Sequence, residues 1–321
     1  MGLQFPDDIL QRSWFLAGPT ACGKSETALE LVRLVAETTG ASMEIVALDS
    51  MSLYRQMDIG TAKPSPSIQQ AVPHHLIDVI DPWEDFSTAD YVAKALEACR
   101  EIVARGALPL FVGGTGLYLR SILRGVFDGP PADWDFRREI EREAREQPPG
   151  HLHRRLQELD PAAAASLHPN DERRLVRALE VQHVTGRPLS EQQQQPPLPV
   201  ECRPSHVDWL APPREWLYQR IDARVEAMFA AGLVEEVEAL LAGPLPLGRT
   251  ARQGLGYKEV IELLAGRSTR EECVRTIQTR TRQFAKRQHT WFRNLEECRA
   301  IEMTGGETAA ELARVIVADK A

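Results

Sequence analysis

The chain has little of several things, and each shortage closes off a class of protein. No stretch of its 321 residues approaches the ~20 consecutive apolar residues of a membrane-spanning helix, so no membrane partner is expected. Cysteine is scarce and scattered. Cys22, Cys99, Cys202, Cys273 and Cys298 are odd in number and never form a C-x-x-C pair, which argues against both a disulfide framework and a zinc site. Positive charge is in deficit: a net charge of −8 excludes a protein that is basic all over, and a nucleic-acid partner would have to be met by a local patch. Residues 1–8 have neither the basic start of a signal peptide nor the Arg/Ser bias of a transit peptide, and a cytoplasmic location is the expectation. What remains, 43% hydrophobic and 26% charged, is the composition of a globular protein able to bury a core.

The strongest feature present is Gly18-Pro19-Thr20-Ala21-Cys22-Gly23-Lys24-Ser25, a full match to the phosphate-binding loop G-x-x-x-x-G-K-[S/T]. The apolar run 14–17 precedes it, and residues 26–35, apolar at helical spacing, follow it, which is the strand, loop and helix the motif requires. Its glycines let backbone N–H groups turn toward a phosphate at the positive end of a helix. Lys24 adds a mobile point charge, and the Ser25 hydroxyl is placed to ligate Mg²⁺. The alternative is a glycine-rich turn with a chance Lys-Ser. The loop identifies a phosphate ligand without saying which.

Strands expected at 44–48, 108–112 and 206–211 alternate with helices, the pattern of a doubly wound parallel α/β sheet. Asp49 directly follows one strand and Gly113-Gly114-Thr115-Gly116 another, at the carboxyl edge where ligands collect in open sheets. A helix cap or a turn for Asp49 and a tight strand-to-helix turn for the glycines are the structural alternatives. The polar loop 54–64 beside them has no clean period and is expected to touch ligand. His74 and His75 are adjacent on an extended segment and point to opposite faces, which disfavours joint metal ligation. One helix is expected from 88 to about 105, opened by a cap at Ser87 and Asp90, and a long one from 214 to 241. Residues 130–200 carry charged helical stretches and no convincing strand, so an all-α subdomain is expected to be inserted into a sheet domain formed by 1–129 and 201–321. Arg173, Arg174 and Arg177 fall on one short helix and, with Arg137, offer either a basic face or an ordinary solvated surface.

The C-terminal region is the electrostatic exception. From 274 to 293 there are six basic residues (Arg275, Arg280, Arg282, Lys286, Arg287, Arg293) and no acidic one, with His289, Trp291 and Phe292 among them. Such a helix suits a phosphate backbone, with possible stacking of bases on its aromatics. A plain solvated helix is the alternative.

In chain order, GPTACGKS, VALDSMSLYRQMDIGTAKP, PHHLID, VGGTGLYLRS, HPNDERRLVRALEV, the helix start RIDAR, GLGYKE and RTRQFAKRQHTWFR resemble the signatures of the tRNA dimethylallyltransferases over about residues 13–295. The resemblance implies an enzyme that prenylates N6 of adenosine 37 beside the tRNA anticodon. It also implies that the phosphate loop holds the diphosphate of dimethylallyl diphosphate in place of ATP. The lack of a typical Walker-B strand agrees, since nucleotide hydrolysis would want one. By matching position, the resemblance implies Asp49 as general base, with Lys24, Thr115, Arg224 and Ser25 with Mg²⁺ on the diphosphate. Contacts to tRNA are implied for Asp49, Ser50, Met51, Ser52, Thr115, Arg137, Arg173, Arg174, Leu175, Val176, Arg177, Gln253, Gly254, Leu255, Gly256, Tyr257, Lys258, Lys286 and Arg287. The target base is expected to leave its stack to reach a buried site. Cys22 stands where serine is common, and the zinc finger of eukaryotic members has no counterpart, which implies a bacterial type; no heptad or apolar stripe demands a partner subunit. A P-loop kinase of a small metabolite would share the sheet and loop but use ATP and need no acid-free basic helix. A nucleic-acid-binding ATPase would keep the basic patch and have no role for Asp49.

Overall fold

Six short strands carry the architecture: Trp14–Ala17 (β1), Met43–Leu48 (β2), His74–His75 (β3), Leu108–Gly113 (β4), His206–Ala211 (β5) and Arg299–Glu302 (β6). They come from a computed structural model that describes residues 4–127 and 129–318. Every pairing is parallel, in the order β3-β2-β4-β1-β5-β6. β2 and β5 are buried along their whole length, as expected of strands covered by helices on both faces. On one face Phe15 stacks on its register partner Phe111 at 4.8 Å between ring centroids. On the other, Leu16, Ile45, Leu110 and Leu210 pack with Leu31 and Val35 of the Lys24–Thr39 helix and with Leu312 and Ile316 near the C-terminus.

The register positions the site. Ala17 and Leu48 are both paired with Gly113, so β1, β2 and β4 end level. The next residues, Gly18, Asp49 and Gly114, therefore emerge side by side at the carboxyl edge of the sheet.

Two elements differ from the sequence reading. The expected helix over 214–241 is two, Arg214–Ala230 and Leu233–Leu241, because Gly232 adopts φ +101° between them; the apolar period runs through the break and conceals it. In the helical C-terminal region, residues 299–302 add the edge strand β6 beside β5. The capping box at Ser87 and Asp90 opens the Thr88–Ala104 helix.

The chain divides into two compact units. One is Gln4–Arg124 together with residues from Pro197 onward; the other is Gly125–Pro196, where 130–200 was expected. Among its described residues the second unit holds helices and no strand. Phe136, Ile140, Leu152, Leu156, Leu175 and Leu179 form its core. Asp160, almost fully buried, caps the Pro161–Ser166 helix at Ala163 N–H and accepts from both the amide and hydroxyl of Ser190.

Candidate active site

The phosphate loop is held from several sides. Gly18 has φ +149°, and a Cβ there would lie 3.0 Å from Cys22 Sγ and 3.2 Å from Leu210 O, so glycine answers both the backbone angle and the close approach of β5. Cys22 points inward, into the core beneath the sheet; burial pushes its thiol up despite nearby Lys24. Lys24 Nζ donates to Pro19 O at 2.7 Å, folding back over the loop. Arg220 Nε donates to Ala21 O at 2.9 Å. Ser25, exposed in the first turn of its helix, makes no side-chain hydrogen bond among the described residues.

Asp49 opens a short turn. Its Oδ1 accepts from Met51 N–H at 2.8 Å and Ser52 N–H at 3.3 Å, which fixes the carboxylate while Oδ2 accepts no hydrogen bond from a described residue. The turn alternative thus holds for Asp49. Thr115 is tied to the same turn: its N–H donates to Leu48 O at 3.0 Å, and its Oγ1 accepts from Ser50 N–H at 3.1 Å. A Cβ at Gly113 would fall 2.2 Å from Leu48 O, so only glycine lets β4 end this close to β2.

Arg224 reaches the loop from the Arg214–Ala230 helix. It donates to Thr20 Oγ1 at 3.4 Å. Burial pulls its pKa down, and Asp49 and Glu26 oppose that fall. A half-buried guanidinium stays charged, so this is a preformed positive centre beside the loop and within the field of Asp49. In the sequence it was one helical Arg among many.

The Arg270–Arg293 helix supplies a residue that sequence reasoning missed. Gln288 lies on its buried face and reaches both glycine loops: Nε2 donates to Gly114 O at 2.8 Å, and Oε1 accepts from Thr20 N–H at 2.9 Å. Lys286 and Arg287 face solvent on the same turn. The aromatics expected to meet bases pack inward instead. Trp291 lies against Gly116 with Arg120 over its ring, and His289 and Phe292 pack on Trp209. The exposed ring on this helix is Phe284, with Arg287 5.8 Å above it. Arg280 and Arg282 are paired with Glu259 and Asp222.

The loop after Asp49 is pinned by groups the sequence did not single out. Glu236 accepts from the N–H groups of Asp58, Ile59 and Gly60 and from Tyr257 Oη. Burial, then Glu236, raises the Tyr257 pKa. The Tyr257 ring fills the space beside Gly60, and Met51 packs on Gly254, so the stretches 50–60 and 253–258 form one surface. Lys63, expected on a ligand-touching loop, is buried and donates to Tyr54 O, Asp58 and Asp78. His75 pairs with Glu44, and His74 lies 2.7 Å from Val72 O. No group of three metal-ligating side chains occurs among the described residues.

In the helical unit, Arg137 and Arg177 both bind Glu180, whose side chain is fully buried. Leu175 and Val176 point into the core, because residues 173–177 span more than one helical turn and so include its inner face. Arg173 and Arg174 are exposed, Arg174 beside Asp171 at 3.4 Å.

The arrangement gathers backbone donors, a lysine and a half-buried arginine around the glycine loop, next to an oriented carboxylate. A family model described as IPP transferase matches residues 52–295. The chain is 42% identical to a tRNA dimethylallyltransferase of Rhodopirellula baltica, with 95% of this chain and 91% of that one covered. It is 48% identical to one from Roseiflexus castenholzii, with 87% and 89% covered. Among solved structures it resembles the tRNA isopentenylpyrophosphate transferase of Bacillus halodurans (TM-score 0.68, 36% identity, 96% and 95% covered). It also resembles a eukaryotic dimethylallyltransferase acting on tRNA (TM-score 0.70, 27% identity, 91% and 74% covered).

Proposed function

The chain belongs to the IPP transferase family, and from that premise we propose how it carries out the family's reaction, transfer of a dimethylallyl group to tRNA. The donor is dimethylallyl diphosphate, its diphosphate seated in the loop 18–25 under Lys24, Thr115 and Arg224. The acceptor is N6 of adenosine 37, flipped from the anticodon loop. The N6 electron pair forms the new C–N bond as the allylic C–O bond breaks, and the pair from that bond leaves on diphosphate. Asp49 Oδ2 takes the N6 proton. The amine is a weak nucleophile because its lone pair is delocalised into the ring, and a positioned base speeds such a step by roughly 10²–10⁴-fold. Lys24 and Arg224 stabilise the charge that grows on the leaving group.

The Ser25 hydroxyl, without a partner among the described residues, fits as the group that would hold a Mg²⁺ beside the diphosphate. When bound, the ion supplies charge neutralisation on diphosphate. Lys286 and Arg287 contact tRNA phosphates, the joined surface 50–60 with 253–258 contacts the anticodon loop, and Arg173 and Arg174 add contacts from the helical unit. No described helix is long and apolar enough to cross a membrane. We place the reaction in the cytoplasm with its tRNA, and in a monomer, since one chain supplies cradle, base and basic helix.

The observation that carries this reading is the level ending of β1, β2 and β4, which sets Gly18, Asp49 and Gly114 side by side. An ATPase reading has no role for the oriented Asp49, a kinase reading has no need of the acid-free basic helix, and neither finds a carboxylate at the end of β4. Incubation with unmodified tRNA and either dimethylallyl diphosphate or ATP, followed by nucleoside mass analysis, tests it. Prenylated adenosine is expected with the first; ATP turnover over unchanged tRNA would overturn the reading.

A further inference from the structure

Gln288 is the one buried polar residue on the basic helix, 6% exposed, and the steps above leave it without a task. Burying a primary amide is unfavourable unless its donor and acceptor are both satisfied. Here both bonds leave the helix and end on backbone of two different glycine loops, at Gly114 O (2.8 Å) and Thr20 N–H (2.9 Å). The fit is mutual: a Cβ at Gly114 would lie 2.2 Å from Gln288 Nε2, so the missing side chain of Gly114 is the space the amide occupies. The next residue, Thr115, binds Ser50 N–H with its hydroxyl, and Ser50 follows Asp49. A continuous set of short bonds therefore runs from the phosphate loop through Gln288 to the turn that holds the carboxylate.

We propose that Gln288 is a positioning residue for dimethylallyl transfer, a splint that fixes the diphosphate cradle relative to the Thr115 and Asp49 turn. The proposal rests on the function argued above. Gln288 touches neither substrate; it commits the Thr20 amide to protein, leaving the later amides of the loop for diphosphate, and sets the spacing across which the allyl group moves. Loss of the splint slows the chemical step and leaves the exposed tRNA contacts of Lys286 and Arg287 in place. A misplacement near 1 Å in such a step costs about 10²-fold.

The test compares wild type with Gln288→Met, which keeps the side-chain length and removes both bonds, and adds Gly114→Ala, Gln288→Ala and their double variant. Single-turnover prenylation and equilibrium tRNA binding are measured on the full chain. We expect Gln288→Met to lose about 30–100-fold in rate with tRNA affinity within ~2-fold. Gly114→Ala should lose a similar factor alone and add little in the Gln288→Ala background, where the clash is gone. Wild-type rate in Gln288→Met overturns the proposal, as do equal losses in rate and tRNA affinity, or losses that multiply in the double variant. If Gln288→Met does not fold, the Gly114 cycle decides alone. Failure of the wild type to prenylate tRNA would sink the function reading instead, a separate outcome.

Discussion

Two arginine-rich helices look alike in sequence and differ in what they do with their charge. In the helical unit, Arg177 and, from a neighbouring helix, Arg137 converge on the buried Glu180, and a third partner, Asp133 N–H, completes its hydrogen bonds. Burial would raise the Glu180 carboxyl, but those partners outweigh it and hold it below its ordinary value. On the Arg270–Arg293 helix, Arg275, Lys286, Arg287 and Arg293 form no ion pair among the described residues and face solvent. The first cluster holds a unit together; the second is available to a polyanion. The distinction lies in whether a carboxylate is buried within reach, and clustering of like charge does not reveal it.

The sharpest way to break this contrast is Glu180→Ala. Removing the shared acceptor strands two partly buried guanidinium groups, and a loss of about 3 kcal/mol in unfolding free energy is expected, read by denaturant titration of the full chain. The gap between parent and variant should close as pH falls below about 5. A carboxyl whose folded pKa lies under its unfolded value of 4.5 stabilises above that value and loses the effect as it protonates. A loss under 0.5 kcal/mol would return Arg137 and Arg177 to the set of free cations.

Lys286→Ala with Arg287→Ala should leave stability within about 0.5 kcal/mol and weaken tRNA binding roughly tenfold at moderate salt. The slope of log affinity against log salt should become shallower by about 1.5, since two phosphate contacts are lost. An unchanged slope removes this turn from the interface. Smallest of the three, Phe284→Ala should weaken tRNA binding by roughly 1 kcal/mol, about fivefold, with the slope unaltered, as loss of a stacking platform does. No change would leave its exposed ring without a role in binding.

Much of the fold is legible in the residues themselves. The phosphate loop, the strands around it and Asp49 were readable because each joins a residue pattern to a local geometry that needs no distant partner. Contacts between remote segments were not. Gln288 had no signal, since its meaning depends on Thr20 and Gly114, 268 and 174 residues away. Nothing marked Glu236 either, which gathers three amides of the 58–60 loop. The aromatics misled because composition does not say which side of a helix faces in: Phe292 is buried in the core, Trp291 packs on Gly116, and Phe284 is the ring left outside. Arg224, singled out by resemblance alone, lies half-buried within hydrogen-bond reach of Thr20.

The most direct measurement is single-turnover prenylation of tRNA by Asp49→Asn with both substrates saturating. An amide preserves the shape and cannot take the N6 proton, so the account predicts a rate loss of roughly 10²–10⁴-fold with tRNA and inorganic diphosphate bound as tightly as by wild type. A rate within threefold of wild type, or a matching loss in substrate binding, would contradict it.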